Sequence, residues 1–243
     1  MDEGERLIHS FGRRRGRKLR AGRAALLDTM LPALRVELPA GDAPVDPATF
    51  FAHAPRETWL EVGFGGGEHL AWQAARNPAI GLVGCEPYEN GVVALLGHLR
   101  DGGIANVRVW NDDARMLLQR LAPGSIARAF VLFPDPWPKA RHHKRRLVQA
   151  PFLDALARAM APGAELRVAT DHADYLEWIL ERLPAHPWFE LVERLASRPA
   201  DWPATRYEEW SVGEGRSPAY LRFSRRSAPQ RRMAPRITTG GEA

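Results

Sequence analysis

Cysteine is almost absent: Cys85 is the only one in 243 residues, so no internal disulfide can form and a reducing cytosol is the expected compartment. Long hydrophobic runs are missing as well. The segment "AALLDTMLPAL" is broken by Asp28 and Pro32 and falls far short of the ~20 apolar residues of a membrane span. The charged opening "MDEGERLIHS" lacks the apolar stretch of a secretory signal, so a soluble protein with no membrane partner is expected. Acids are missing from one stretch, "FGRRRGRKLRAGR" (Phe11 to Arg23), which holds seven Arg or Lys. It reads as an arm, either a solvated leader or a nucleic-acid contact. Over the whole chain 34 Lys and Arg face 29 acids, a net charge of +5, and the cations cluster in a way that suits a polyanionic partner.

From Thr58 onward, apolar runs alternate with helical patterns. "TWLEV" precedes a glycine loop and "HLAWQAARN"; "IGLVGCE" precedes "NGVVALLGHLRD"; "VRVWN" precedes "ARMLLQRL". The series continues through "ARAFVLF" with "RLVQAPFLDALARAM", then "AELRVAT" with "DYLEWILERL". Five strand–helix units in succession predict a parallel sheet covered on both faces. "FELVERL" and "AYLRFSR" then predict two closing strands separated by a polar loop. The expected fold is therefore α/β, doubly wound, with a mostly parallel seven-stranded sheet of the class I methyltransferase type and a C-terminal antiparallel hairpin. Residues 1–57 are expected to form the basic arm and a lead-in helix, 58–225 the methyltransferase domain, and 226–243, which lacks periodicity, a disordered basic tail.

The loop "LEVGFGGGEHL" sets Gly63, Gly65 and Gly67 between the first strand and its helix, where glycine permits a tight turn and close approach of a ligand. A dinucleotide site calls for a further glycine at position 68, but the chain has Glu68 there and Glu61 just before the turn. Carboxylates repel a diphosphate and attract the ammonium and sulfonium of S-adenosylmethionine. Glu86 ends the second strand, where an acid can accept hydrogen bonds from ribose hydroxyls, and Asp113 follows the third strand at the level of an adenine amine. The competing reading makes Glu86 and Asp113 simple helix caps.

"FPDPWPKARHHKRR" (Phe133 to Arg146) leaves the fourth strand at the carboxyl edge, where open α/β sheets bind ligands. Three prolines bias Phe133, Asp135 and Trp137 towards extended backbone, predicting a stiff rail that aims Asp135 at the reacting end of the cofactor. Trp137 either stacks on a base or packs against the sheet edge. His142 and His143 have no further Cys or His at ligand spacing, which excludes a zinc site and leaves them as extensions of the cationic patch. Lys144, Arg145 and Arg146 are expected to begin a helix. Cations at a helix N-terminus oppose its dipole, so an external anion such as RNA phosphate is expected there. Asp171 leaves the fifth strand at the same edge, and Tyr175 and Trp178 share one helix face as core residues.

These motifs, with "ATDHADYLEW" and "TRYEEWS" downstream, closely resemble the bacterial tRNA (guanine-N7-)-methyltransferase family, TrmB type, over most of Phe11 to Arg225. The resemblance implies methyl transfer from S-adenosylmethionine to N7 of guanosine at position 46 of tRNA. It implies that Glu61, Glu86, Asp113 and Asp135 contact the cofactor or lie beside its methyl, with Asp135 the catalytic acid. Lys139, Asp171, Thr205, Arg206, Tyr207 and Glu208 would contact the guanosine, and Arg141, His142, His143, Lys144, Arg145 and Arg146 the RNA. Guanine N7 carries a free lone pair, so the residues are expected to orient and stabilise rather than deprotonate. Two other readings compete: an amino-methyltransferase acting on rRNA or DNA, for which Trp137 stands where a second proline would, and a catalytically inactive RNA-binding protein.

Overall fold

The computed structural model of the chain describes residues 14–16 and 19–230. Seven strands, β1 (Glu57–Val62), β2 (Ile80–Cys85), β3 (Val107–Trp110), β4 (Ile126–Leu132), β5 (Met160–Thr170), β6 (Phe189–Leu195) and β7 (Ala219–Arg225), form one sheet in the order β3-β2-β1-β4-β5-β7-β6. The first five run parallel, and β7 lies antiparallel between β5 and β6. The expected five crossovers and closing hairpin are all present.

Sequence explains why the sheet is covered twice. β2, "IGLVGC", is buried at all six positions, as a strand with helices on both faces must be. Along β1 the side chains alternate between layers. Trp59 joins Leu82 and Phe130 beneath α3 (Glu68–Arg76) and α4 (Glu89–Gly102). Leu60 and Val62 join Val83 and Val131 beneath α5 (Ala114–Arg120), α6 (Ala150–Ala159) and α7 (Ala173–Ala185). Tyr175 on α7 is fully buried in that second layer, the expected core role, and burial pushes its phenol up to about 12.

Ahead of the sheet, α1 (Ala21–Thr29) and α2 (Leu31–Leu34) bury Leu26 and Leu31 in the first layer. The chain then crosses to the sheet edge, where the Val36 amide donates to the Val109 carbonyl at 2.8 Å. Much of the basic arm and of the tail, residues 1–13, 17–18 and 231–243, lies outside the described residues. At the start of the expected tail, the Arg226 and Gln230 amides donate to the carbonyls of Trp188 and Pro187 at 2.8 and 2.9 Å. No described helix is long and apolar enough to cross a membrane.

Two elements differ from expectation. The helix foreseen from Lys144 begins only at Ala150, where Pro151 fits the first turn of a helix. The polar loop between β6 and β7 contains a helix, α8 (Arg206–Gly213), whose N-cap Thr205 accepts a hydrogen bond from the Glu208 amide at 3.2 Å. Thr205 and Glu208 are the first and fourth residues of a capping motif that lacked a recognisable apolar stripe behind it.

Candidate functional site

The carboxyl ends of β1, β2, β3 and β4 open onto a cleft of about 420 Å³. Its floor is the glycine turn. Gly63, Gly65 and Gly67 have φ of +73°, +54° and +79°, a path that side-chain-bearing residues rarely follow. A methyl group on Gly67 would also meet Leu95 at 2.7 Å, so the turn and α4 pack too closely for any other residue.

Glu86 holds this turn from the end of β2. Its Oε2 accepts from the Gly65 amide and its Oε1 from the Tyr88 amide, both at 2.9 Å. It caps no helix. Burial raises its pKa, the two amides work in the opposite direction, and the nearby charges of Asp135 and Glu61 raise it further. Asp135 stands exposed at the cleft wall, where partial desolvation also raises its pKa. Two carboxyls made costly to ionise, in a cleft with a glycine floor, form a site that a positive guest would stabilise.

Asp113 lines the same cleft and is the N-cap of α5: its Oδ1 accepts from the Arg115 amide at 2.9 Å and its Oδ2 meets the Arg115 guanidinium at 2.7 Å. The helix-cap reading therefore applies to Asp113. Glu61 is not on the cleft wall. Its position on β1 turns it into the layer beneath α3, where it is 2% exposed and its Oε2 lies 2.7 Å from His69 Nδ1.

The rail is bent, contrary to the extended backbone expected before proline. Phe133 and Trp137 both adopt left-handed conformations, with φ of +50° and +44°, while Asp135 lies between them. Such strain persists only where surrounding structure fixes it. The Phe133 amide continues the β4–β5 ladder by donating to the Ala169 carbonyl at 2.8 Å. Arg146 fixes the other side: its side chain is fully buried, Nε donates to the Pro136 carbonyl at 2.8 Å, and Nη2 bonds Asp174. The guanidinium also lies over Tyr175 and Trp178 at 5.0 and 4.8 Å. Arg146 is thus a brace for the rail and is withdrawn from the expected RNA surface.

The remaining cations lie on a 3₁₀ segment, Ala140–Arg145, and not at a helix start, so the dipole argument does not apply to them. Lys139, Arg141 and Lys144 are exposed. Arg145 lines the cleft with its guanidinium 5.0 Å from the Trp137 ring, which also faces the cleft. His143 packs edge-on against Trp178 and faces Asp174 at 3.5 Å, away from the patch. His142 packs against Trp137, and burial together with Arg145, Arg141, Lys139 and Lys144 lowers its pKa. The neighbouring cations thus discourage His142 from adding charge to the patch.

Asp171 is turned away from the cleft. It accepts from Ser211 Oγ at 2.6 Å and from Arg216 at 2.9 Å, with Tyr207 Oη at 3.3 Å, which ties β5 to α8. Burial alone would raise its pKa, but Ser211 and Arg216 outweigh it and the net shift is downward. Glu208 is buried and bonded to Tyr220 and Arg198, and Arg206 reaches back to Glu68 at 2.6 Å. Of the "TRYE" residues only Tyr207 lines the cleft, its ring 5.2 Å from Phe133. Tyr88 and Arg115 also line it. The sequence signal for both was their position within two residues of an acid at a strand's carboxyl end. Among the described residues no group of three or more His, Cys, Asp or Glu could hold a metal ion.

A sheet in this order, with a glycine turn after its first strand and acids at the ends of the next, defines a class I S-adenosylmethionine-dependent methyltransferase. Two solved 16S rRNA methyltransferases share the fold. KamB matches with a TM-score of 0.52 at 18% identity over 72% of this chain and 89% of its own, and the (adenine(1408)-N(1)) enzyme from Catenulisporales acidiphilia with 0.52 at 18% over 80% and 100%. Residues 55–217 match the family model described as "Putative methyltransferase". Curated tRNA (guanine-N(7)-)-methyltransferases from Paramagnetospirillum magneticum and Paracoccus denitrificans are 50% and 49% identical, each over 89% of this chain and over 92% and 94% of their own. The chain belongs to the tRNA (guanine-N7-)-methyltransferase family.

Proposed function

We propose that the chain transfers the methyl group of S-adenosylmethionine to N7 of a guanosine in tRNA, at position 46 of the variable loop. One observation carries this reading beside the family: an acid-walled cleft shares Trp137 and Arg145 with an exposed cationic segment, so a cationic donor and a polyanionic acceptor are served side by side. The bound donor supplies an electrophilic methyl on a positively charged sulfur.

Glu86 and the glycine turn hold the donor's ribose side, and Asp113, which caps α5 and also lines the cleft, lies towards the adenine end. Glu61 acts through its charge on Glu86 and its hold on α3. Because N7 has a free lone pair, the protein must align it and exclude water rather than remove a proton. Asp135 faces the guanine as positive charge moves onto the ring and stabilises it there. Lys139, Arg141 and Lys144 neutralise phosphates, and Asp171, Thr205, Arg206 and Glu208 hold α8 so that Tyr207 closes the wall. The polyanionic substrate and lone buried Cys85 suit work in the cytosol.

Methyl-labelled S-adenosylmethionine incubated with unmodified tRNA transcript tests this: label should enter the RNA and aniline should cleave it at one nucleotide. Label without aniline cleavage would assign the methyl to an exocyclic amine. RNA binding without label would reduce the chain to a binding protein.

A further inference from the structure

Helix α8 exposes three large side chains that no role above uses fully: Tyr207 is 39% exposed, Trp210 50% and Val212 54%. Tyr207 and Trp210 are three residues apart and share one face of the helix. Their rings lie 5.6 Å apart, and Tyr207 in turn lies 5.2 Å from Phe133 at the base of the rail. Aromatic surface therefore runs unbroken from the cleft wall to the outside. Arg216 sits over the indole at 4.9 Å and is itself fixed by Asp171 at 2.9 Å, so the ring is propped from one side while half its surface stays open. A large indole left open at the end of a ring path, backed by a guanidinium and next to a nucleic-acid cleft, has the makings of a stacking platform.

We propose that Trp210 stacks on an unpaired base of the substrate RNA next to the guanosine in the cleft, making it a positioning residue for the methyl transfer. The proposal rests on the tRNA reading above. The target base must leave its stack to enter the cleft, which exposes the faces of its strand neighbours. One neighbour passes the Arg145–Trp137 side, and the other falls on the Tyr207–Trp210 side. An aromatic face accepts any base there, so the platform would fix strand path rather than read sequence.

The test compares the wild-type protein with Trp210→Ala, Trp210→Phe and Trp210→Leu, using unmodified tRNA transcript. Trp210→Ala should weaken tRNA binding between about fivefold and a hundredfold, the range for losing one base–aromatic stack. Trp210→Phe should recover most of this and Trp210→Leu little, since leucine is apolar but not flat. The slope of log affinity against log salt should stay unchanged in all three, because no phosphate contact is lost. S-adenosylmethionine uptake should also be unchanged. Unaltered tRNA affinity in Trp210→Ala overturns the proposal, and so does equal rescue by leucine. A loss that appears instead as a change in sedimentation would make the face a contact between copies and would equally overturn it. Should the wild-type protein fail to bind tRNA, the functional reading falls first, and the two failures stay separate.

Discussion

Asp171 offers a decision between two roles for one carboxylate. If it holds the guanine edge, its charge matters to the substrate; if it ties α8 to β5, its charge matters to the fold. The geometry favours the second. Its side chain is 3% exposed and faces Ser211, Arg216 and Tyr207 rather than the cleft. The Ser211 bond at 2.6 Å is buried and charge-assisted, contributing about 1.5–3 kcal/mol. The Arg216 pair, with its guanidinium open to solvent, and the 3.3 Å Tyr207 contact add little to this. Asp171→Ala should therefore weaken the docking of α8 by about 1.5–3 kcal/mol. Hydrogen exchange along Arg206–Gly213 reads this directly, because a short peripheral helix that loses one of its few polar anchors opens before the whole domain does. Asp171→Asn should cost less, since an amide can still serve Ser211. The sign with pH follows from the lowered pKa: this stability is present above the unfolded value near 3.9 and is lost as pH falls through the folded one. Unchanged exchange in α8 of Asp171→Ala, together with lost turnover, would refute the anchor and return Asp171 to the guanine.

Asp135→Asn should take up S-adenosylmethionine yet lose about a hundredfold or more in turnover, measured by single-turnover methyl transfer, because a preorganised charge facing the ring is removed. Replacing Arg141 and Lys144 by alanine should lower the slope of log tRNA affinity against log salt by roughly one unit per lost phosphate contact, whereas Arg146→Ala should act on stability instead. At Trp137 the usual ranking should invert: glycine normally costs more than alanine, but at φ +44° Trp137→Gly should be more stable than Trp137→Ala by about 1 kcal/mol in urea denaturation.

The sheet and the glycine turn were legible because each rests on a local pattern. A fully apolar strand such as β2 has one solution in a doubly wound fold, and three glycines after a strand demand a turn. The acids were legible by type but not by direction. Glu61 and Glu86 both sit in β-strands or at their ends, yet the pleat sends Glu61 into the layer under α3 while Glu86 reaches the turn. A run of six residues, "RHHKRR", reads as one basic patch, and the fold divides it: Arg141 and Lys144 stay outside, while His143 and Arg146 turn towards α7. That division depends on Asp174, Tyr175 and Trp178, which are about thirty residues downstream and have no sequence signal linking them to Arg146.

The buried arginine explains the bent rail. Two aromatic residues in left-handed backbone, each followed by proline, cost on the order of 1–3 kcal/mol apiece, and a chain free to relax would straighten. Phe133 cannot, because its amide is committed to the β5 ladder, and Pro136 cannot, because its carbonyl receives the Arg146 side chain. Between these two fixed points Asp135 has little freedom to follow its own solvation. Asp135 is exposed at the cleft wall, and the partial desolvation there raises the pKa of its carboxyl. Strain in the backbone and the place of the acid are thus set by the same two anchors. A positive charge arriving opposite Asp135 would meet a carboxylate already in place, without moving the chain, which is the condition for electrostatic work in methyl transfer.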